Sequence, residues 1–336
     1  MKAVGYRHSL PIDHAESLLD LDLPRPEPDG RDLLVRVKAV SVNPVDFKVR
    51  LRAEPPAGEV KVLGFDASGI VEAVGPDCTL FKVGDAVWYA GDIRRPGTNA
   101  EFHLVDERIV GRKPASLDFA VAAALPLTTI TAWELLFDRL EVKRQGGADA
   151  SLLVIGGAGG VGSILIQLAR RLTRLTVIAT ASRPESRDWC LKLGAHHVVN
   201  HTDEMAGAIK ALDAAPVRYV AALTHTDRHW RAIAEIVAPQ GKVALIDDPE
   251  PIDVRLLKQK SVSLHWELMF TRSMFETADM AAQGRLLGEA ADLIDRGELV
   301  STAAESLGTI NAENLKRAHA LLESGRTIGK ITLAGF

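Results

Sequence analysis

The chain has 336 residues, enough for two domains of about 100–200 residues each. Hydrophobic residues make up 47%, charged residues 25%, and the formal net charge is −4, a balance that excludes a disordered chain and argues against nucleic acid as a partner. The opening run Met1-Lys2-Ala3-Val4-Gly5-Tyr6-Arg7 is broken by charge at once, and no stretch is expected to reach the roughly 18 apolar residues of a membrane span; the reading is a cytoplasmic protein with no membrane partner.

In chain order, Pro24-Arg25-Pro26-Glu27-Pro28 reads as an extended connector. From residue 33 to about residue 102 short β-rich runs follow, among them 34–40, 69–74 and 85–89, punctuated by Gly, Pro and Asp. The style changes near Pro114. Residues 117–137 are rich in Ala and Leu, and from Ser151 strands and helices alternate as a parallel sheet with crossover helices requires. Strands are predicted at 152–155, 175–181, 198–200, 217–222 and 242–246, and a sixth apolar run, 261–270, closes that sheet or extends its edge. Beyond Ser273 the pattern predicts a long helical stretch to about residue 294, a helix over 312–323 ended by Gly325, and a terminal strand over 328–333. These last pieces complete no further βαβ unit, so they return to the first domain.

Within this frame the segment Leu152-Leu153-Val154-Ile155-Gly156-Gly157-Ala158-Gly159-Gly160-Val161-Gly162 carries the strongest chemical signal. Gly157, Gly159 and Gly162 satisfy G-x-G-x-x-G with a buried strand before it and a helix after it, the context a dinucleotide site requires. One glycine permits the tight turn, one lets the backbone approach a pyrophosphate, and one lets helix and strand pack closely; the helix start supplies amide donors to the phosphates. Gly157, Ala158, Gly159, Gly160, Val161 and Gly162 are therefore candidate cofactor contacts.

The second strand of the unit selects between dinucleotides. An NAD site usually carries an acid about 20 residues beyond the glycines to accept bonds from the ribose. Here the strand ends in Ser182-Arg183-Pro184-Glu185-Ser186-Arg187, with no acid at its tip. Ser182, Arg183, Ser186 and Arg187 are suited to a 2′-phosphate, which favours NADPH; the competing reading of the two arginines is a solvated helix start.

The chain resembles the medium-chain dehydrogenase/reductase superfamily, and within it the zinc-free quinone oxidoreductase branch, in a subgroup often labelled zinc-type alcohol dehydrogenase-like. The residues that carry this likeness are Asn43-Pro44-Val45-Asp46, Gly64-Phe65-Asp66-Ala67-Ser68-Gly69, Val83-Gly84-Asp85-Ala86-Val87, Leu125-Pro126, Thr131-Ala132-Trp133, Gly159-Gly160-Val161-Gly162, Leu193-Gly194-Ala195 and Gly329-Lys330. The resemblance implies an α/β fold in which a Rossmann doubly wound parallel sheet is inserted into a mainly β GroES-like catalytic domain. The expected division is residues 1–124 for the first part of the catalytic domain, 125–270 for the NADPH-binding Rossmann domain, and 271–336 for the return. It also implies a homodimer, for which the run from His265 to Phe275 offers an apolar edge strand.

A catalytic zinc needs three protein ligands with a fourth position open. Where zinc-using relatives place a cysteine this chain has Asn43, and where they have Gly-His-Glu it has Gly64-Phe65-Asp66. The two cysteines, Cys78 and Cys190, stand far apart and read as packing residues, so no zinc is expected. Hydride then goes to a carbon already made electrophilic by conjugation. The expected activity is NADPH-dependent reduction of a quinone or α,β-unsaturated carbonyl compound, a small hydrophobic substrate. The alternatives are an alcohol dehydrogenase or aldehyde reductase of the same superfamily, or a non-catalytic NADPH-binding sensor.

By resemblance Asn43 and Thr131 line the nicotinamide end, Asn43 as a donor to substrate oxygen or else a turn-forming residue before Pro44. Tyr89 is a candidate proton or hydrogen-bond donor, or else a half-buried strand aromatic. A tyrosine often found after the Asn-Pro motif in quinone reductases is absent, with Phe47 and Leu51 in its neighbourhood, and Arg272 is a candidate contact to phosphate or substrate. His201, at the adenosine end by resemblance, and Thr224 and Lys330 complete the cofactor candidates. Asp46 and Asp66 read as structural carboxylates.

Overall fold

The structure, a computed structural model, describes residues 1–201 and 204–336. It forms two compact units, one built from Met1–Ile130 with Phe270–Phe336 and the other from Thr131–Met269, so the second is inserted in the first.

The first segment supplies β1 (Lys2–Tyr6), β2 (Leu19–Asp22), β3 (Asp32–Ser41), α1 (Pro44–Arg52), β4 (Lys61–Val62), β5 (Ala67–Val74), β6 (Ala86–Tyr89), β7 (Phe102–Asp106), β8 (Val110–Arg112), α2 (Phe119–Ala123) and α3 (Pro126–Trp133). The inserted unit follows with a π-turn at Glu134–Arg139, then β9 (Ser151–Ile155), α4 (Gly160–Leu172), β10 (Thr176–Thr180), α5 (Pro184–Lys192), β11 (His197–Val199), α6 (Met205–Lys210), β12 (Val217–Ala222), α7 (Thr226–Ile236), β13 (Lys242–Leu245) and β14 (Ser263–Trp266). The return adds α8 (Thr271–Met274), α9 (Ala282–Asp295), β15 (Ala303–Ser306), α10 (Ala312–Glu323) and β16 (Lys330–Ala334).

The first unit is mainly β. Its seven-stranded sheet runs β15-β16-β3-β5-β6-β8 with β7 also paired to β3, and a three-stranded sheet runs β2-β1-β4. The ten-residue β3 is the hub because alternate residues Leu33, Val35 and Val37 enter a core that Val71, Val87, Leu315, Ile331 and Leu333 complete. The antiparallel register Thr332↔Ser41 and Leu333↔Val40 sets the start of β16 beside the residues that follow β3, and this pairing builds the polar site described below.

The inserted unit holds a six-stranded, all-parallel sheet in the order β11-β10-β9-β12-β13-β14, the doubly wound dinucleotide-fold order with its topological switch point at β9 and β12. Every residue of β9 is buried, as a strand covered on both faces requires. α4 buries Ile164, Leu165, Ile166 and Leu168 completely, each worth about 1.5–3 kcal/mol. That burial outweighs the conformational cost of the glycine-rich turn before it, roughly 0.5–1 kcal/mol per glycine.

Three expectations are corrected. Residues 119–139 are long and apolar enough to cross a membrane by length and composition, with mean hydropathy 1.5, yet 83% of that stretch is buried inside the protein as core. The single helix expected beyond Ser273 is two, α8 and α9, because Glu276 takes a left-handed φ of +45° and interrupts the helical backbone. The terminal strand starts at Lys330, after Gly329 turns the chain at φ +61°.

Candidate functional site

The glycine turn in the inserted unit divides its labour differently from the motif reading. Gly156, at φ +84°, makes the left-handed turn. A Cβ on Gly157 would lie 2.8 Å from Ala179 Cβ and 3.0 Å from Cys190 Sγ, and one on Gly162 would lie 2.5 and 2.6 Å from the carbonyl oxygens of Gly156 and Gly157. Both positions are closed by packing. A Cβ on Gly159 would meet only the Gly156 oxygen, at 3.5 Å, so the space above it is open among the described residues. Gly159 is the N-cap of α4, and the first-turn amides of Gly160, Val161 and Gly162 have no intrahelical acceptor. They point the positive end of a 13-residue helix at that space. Ala158 is buried, its carbonyl accepting from Ser163 Oγ at 3.4 Å. These features fit a pyrophosphate.

Around this turn, Thr224 follows β12 and leans on Gly156, its Cγ2 2.9 Å from where a Cβ would stand. At the tip of β10, Ser182 and Arg187 are exposed and Arg183 is half-buried, whereas Ser186 is buried on α5. His201 lies just past β11, edge-on to His229 at 5.5 Å between centroids. Burial, and then the neighbouring His225, hold its proton affinity below the ordinary histidine range. Thr131 is buried on α3. Cys190 packs under the turn, its thiol pushed up to about 12 by burial.

The first unit holds a buried polar cluster. Asn43 caps α1: its backbone N–H donates to Asp46 Oδ2 at 2.7 Å, and Asp46 Oδ1 accepts from Gly64 N at 3.0 Å. Asn43 Nδ2 donates to Asp66 Oδ2 at 2.8 Å and lies 3.5 Å from the Ser41 carbonyl, while its Oδ1 accepts from Lys330 Nζ. Lys330 also donates to the Val42 carbonyl at 2.8 Å and to Asp66 Oδ2 at 3.0 Å, and Asp66 Oδ1 accepts from Leu127 N at 2.7 Å. Because Lys330 can only donate, it fixes which end of the Asn43 amide faces it. Burial pushes the Asp46 carboxyl up to about 7 against its two backbone donors. It raises Asp66 as well, with Lys330 as the main opposing influence.

Other expected site residues lie in the same unit but are committed to partners there. Tyr89 is fully buried, its hydroxyl 3.1 Å from His103 Nδ1. His103 Nε2 lies 2.9 Å from the Pro96 carbonyl and must donate to it, so Nδ1 accepts and the phenol is the donor. Arg272 is buried on α8 and bonds Asp279 Oδ2 through Nε at 3.0 Å and Nη2 at 2.9 Å. Lys330, expected among cofactor contacts, has its ammonium enclosed by the three acceptors named above. Sequence reasoning missed that role, since Lys330 and Asn43 are 287 positions apart and only the β3–β16 register joins them.

Comparison with known proteins agrees with this architecture. The alcohol dehydrogenase GroES-like domain family matches residues 29–115, and the zinc-binding dehydrogenase family matches residues 160–283. A zinc-type alcohol dehydrogenase-like protein of Staphylococcus aureus is 38% identical over 336 residues, covering 99% of both chains. This chain belongs to the medium-chain dehydrogenase/reductase superfamily. A crystal structure of a proposed zinc-dependent alcohol dehydrogenase from Rhizobium etli CFN 42 is 58% identical to this chain, with a TM-score of 0.96 over 100% of this chain and 98% of the other. A quinone oxidoreductase of Pseudomonas syringae pv. Tomato DC3000 superposes at 28% identity with a TM-score of 0.83 over 99% of each chain. An NADPH-dependent alkenal/one oxidoreductase of Arabidopsis thaliana is 34% identical over 197 residues, 55% of this chain and 49% of its own.

The family names raise zinc, and the residues that stand at the corresponding positions of this chain do not fit it. Asn43 is held by Asp66 and Lys330, and Phe65 packs edge-on against Phe270 at 5.4 Å between centroids. Among the described residues no group of three His, Cys, Asp or Glu side chains is arranged to hold a metal ion.

Proposed function

We propose that this medium-chain dehydrogenase/reductase uses NADPH to reduce a quinone or an α,β-unsaturated carbonyl compound without zinc. The observation that carries the reading is the set Asn43, Phe65 and Asp66, an amide network and an aromatic contact in place of metal ligands. Without a Lewis acid, the acceptor must be activated by its own conjugation. The activity named for the Arabidopsis relative, which is NADPH-dependent and directed at alkenals and enones, supports the same class.

The glycine turn takes the pyrophosphate above Gly159, on the amides of Gly160, Val161 and Gly162. Arg183 and Arg187, with Ser182, hold the 2′-phosphate by charge-assisted bonds; Thr224 backs the turn, and His201 and Thr131 contact the adenosine and nicotinamide ends. When bound, the cofactor supplies the hydride. Asn43 has one amide hydrogen on Asp66 and the other only weakly engaged by Ser41, at 3.5 Å. We assign that second hydrogen to the substrate oxygen, where it stabilises developing negative charge. Lys330 and Asp66 orient the amide, and Tyr89, donating to His103, is left out of the reaction.

The second proposal concerns assembly. β14 ends the parallel sheet, and Trp266 and Leu268 beside it are 58% and 51% exposed. An exposed apolar edge is the feature that pairs identical strands, so we assign it to a homodimer.

The test is cofactor oxidation by metal-stripped protein with matched quinones, enones and simple aldehydes, using NADPH and NADH. Turnover of quinones or enones with NADPH is expected. Turnover of simple aldehydes restored only by added zinc would replace this reading with an alcohol dehydrogenase.

A further inference from the structure

The inserted unit contains two buried carboxyls that hydride transfer does not use. Glu134 opens the π-turn and is fully buried, and Glu267, directly after β14, is 3% exposed. Arg139 faces both: its Nε donates to Glu267 Oε2 at 2.8 Å, and its Nη2 lies 3.9 Å from Glu134 Oε2. In a regular α-helix, residues five apart point to different flanks. The π-turn, closed by Leu140 N on the Leu135 carbonyl at 2.9 Å, brings Glu134 and Arg139 to one side.

The two buried carboxyls thus lie against one guanidinium, a single positive charge for two acids. Oε1 of Glu267 is buried with no N–H or O–H donor among the described residues. Two ionised carboxylates have no donor between them, and ionising both beside one guanidinium leaves a buried charge uncompensated. Other charged groups near the pair are His265 on β14 and Lys242 on β13. Lys242 is paired with Glu141, and burial lowers the proton affinity of His265.

We propose that Glu134 and Glu267 share one proton at neutral pH, and that this proton latches the π-turn to the end of edge strand β14. Burial, and then the charge of Glu134, push Glu267 far above the ordinary glutamate range, into alkaline pH. The exposure pattern shows what the latch restrains: Trp266 and Leu268 are exposed, whereas Glu267 and Met269 are buried. Glu267 is thus an inward anchor in a run that presents two large apolar side chains outward. Loss of the shared proton sets two carboxylates against each other and frees that run.

The proton and the latch stand independently of the homodimer; the effect on self-association rests on it. Carboxyl-carbon NMR of glutamate-labelled protein is expected to show one carboxyl protonated at neutral pH and titrating in the alkaline range, a signal lost in Glu267→Gln. Amide protection over residues 263–268 should fall about tenfold per pH unit between the ordinary glutamate range and that titration, where only the latched state holds the proton, and level off above it. In Glu267→Gln, neutral at every pH, protection should not fall, and Glu134→Gln gives a second variant with the same expectation. Both carboxyls titrating in the ordinary range, or Gln variants that lose protection like the parent, would overturn the proposal. Self-association that weakens over the same pH range in the parent alone would extend the latch to the dimer. A monomer at all pH values would remove the homodimer and leave the exchange result to decide the latch.

Discussion

Lys330 and Asp66 form an ion pair at 3.0 Å inside the β-rich unit, with side-chain exposures of 4% and 0%. The pair also holds the Asn43 amide from both ends, so it fixes the conformation of a candidate site residue as well as neutralising a buried charge.

Removing one partner should therefore be costly. Lys330→Met strands a buried carboxylate and is expected to lose about 3–5 kcal/mol in denaturant unfolding. Adding Asp66→Asn should recover a substantial part of that loss. A single variant as stable as the parent would show that the pair contributes little.

The glycine turn gives a contrast between two positions. Gly159→Val puts its side chain into open space, so it should leave stability within about 1 kcal/mol while abolishing NADPH binding. Gly162→Val drives a Cβ to 2.5 Å from a backbone carbonyl and should lose stability and binding together. Titration calorimetry beside thermal melts reads both, and NADPH binding retained by Gly159→Val would move the site elsewhere.

At the tip of β10, replacing Arg183 and Arg187 together by Ala should weaken NADPH by roughly 1.5–3 kcal/mol for each charged bond lost, with little change for NADH. Fluorescence titration with both dinucleotides measures the difference. Equal weakening of the two would sink the 2′-phosphate assignment, and no weakening of either would leave the arginines as a solvated helix start.

Two buried histidines predict acid sensitivity. Burial lowers His103 from 6.5 to about 4 and His319 from 6.5 to about 3. Both folded values lie below the unfolded one, so the folded protein binds fewer protons. Their stabilising contribution is full above pH 6.5 and is lost as pH falls through 4 and then 3. Each proton contributes a slope of about 1.4 kcal/mol per pH unit in that window. His319→Leu should reduce the slope by about one proton; an unchanged slope would place the acid sensitivity in other groups.

Much of the architecture was legible because it is written in local periodicity. The buried runs at 152–155, 217–222 and 242–246 became β9, β12 and β13. The glycine string marks the turn between β9 and α4 by residue type alone. Less legible was which glycine does what: only the packing of α5 and β10 against the turn shows that Gly157 faces Cys190 and Ala179, leaving Gly159 beneath open space. The break between α8 and α9 was likewise hidden, since left-handed Glu276 carries no glycine to mark it. Tyr89 read as an available phenol because its partner, His103, stands on β7, a strand of the same sheet that pairs with β3 and not with β6.

By itself, the sequence determined the division into a β-rich part and an alternating α/β insertion, and the strand, glycine turn and helix at 151–172 within that insertion. These follow from residue type and near-neighbour spacing. Only the tertiary structure decided that Lys330 closes on Asn43 and Asp66, and that Glu134, Arg139 and Glu267 meet in one buried cluster. Strand register and burial bring together groups more than a hundred positions apart, and in a low-dielectric interior that proximity, which no local pattern encodes, determines how each polar group is satisfied.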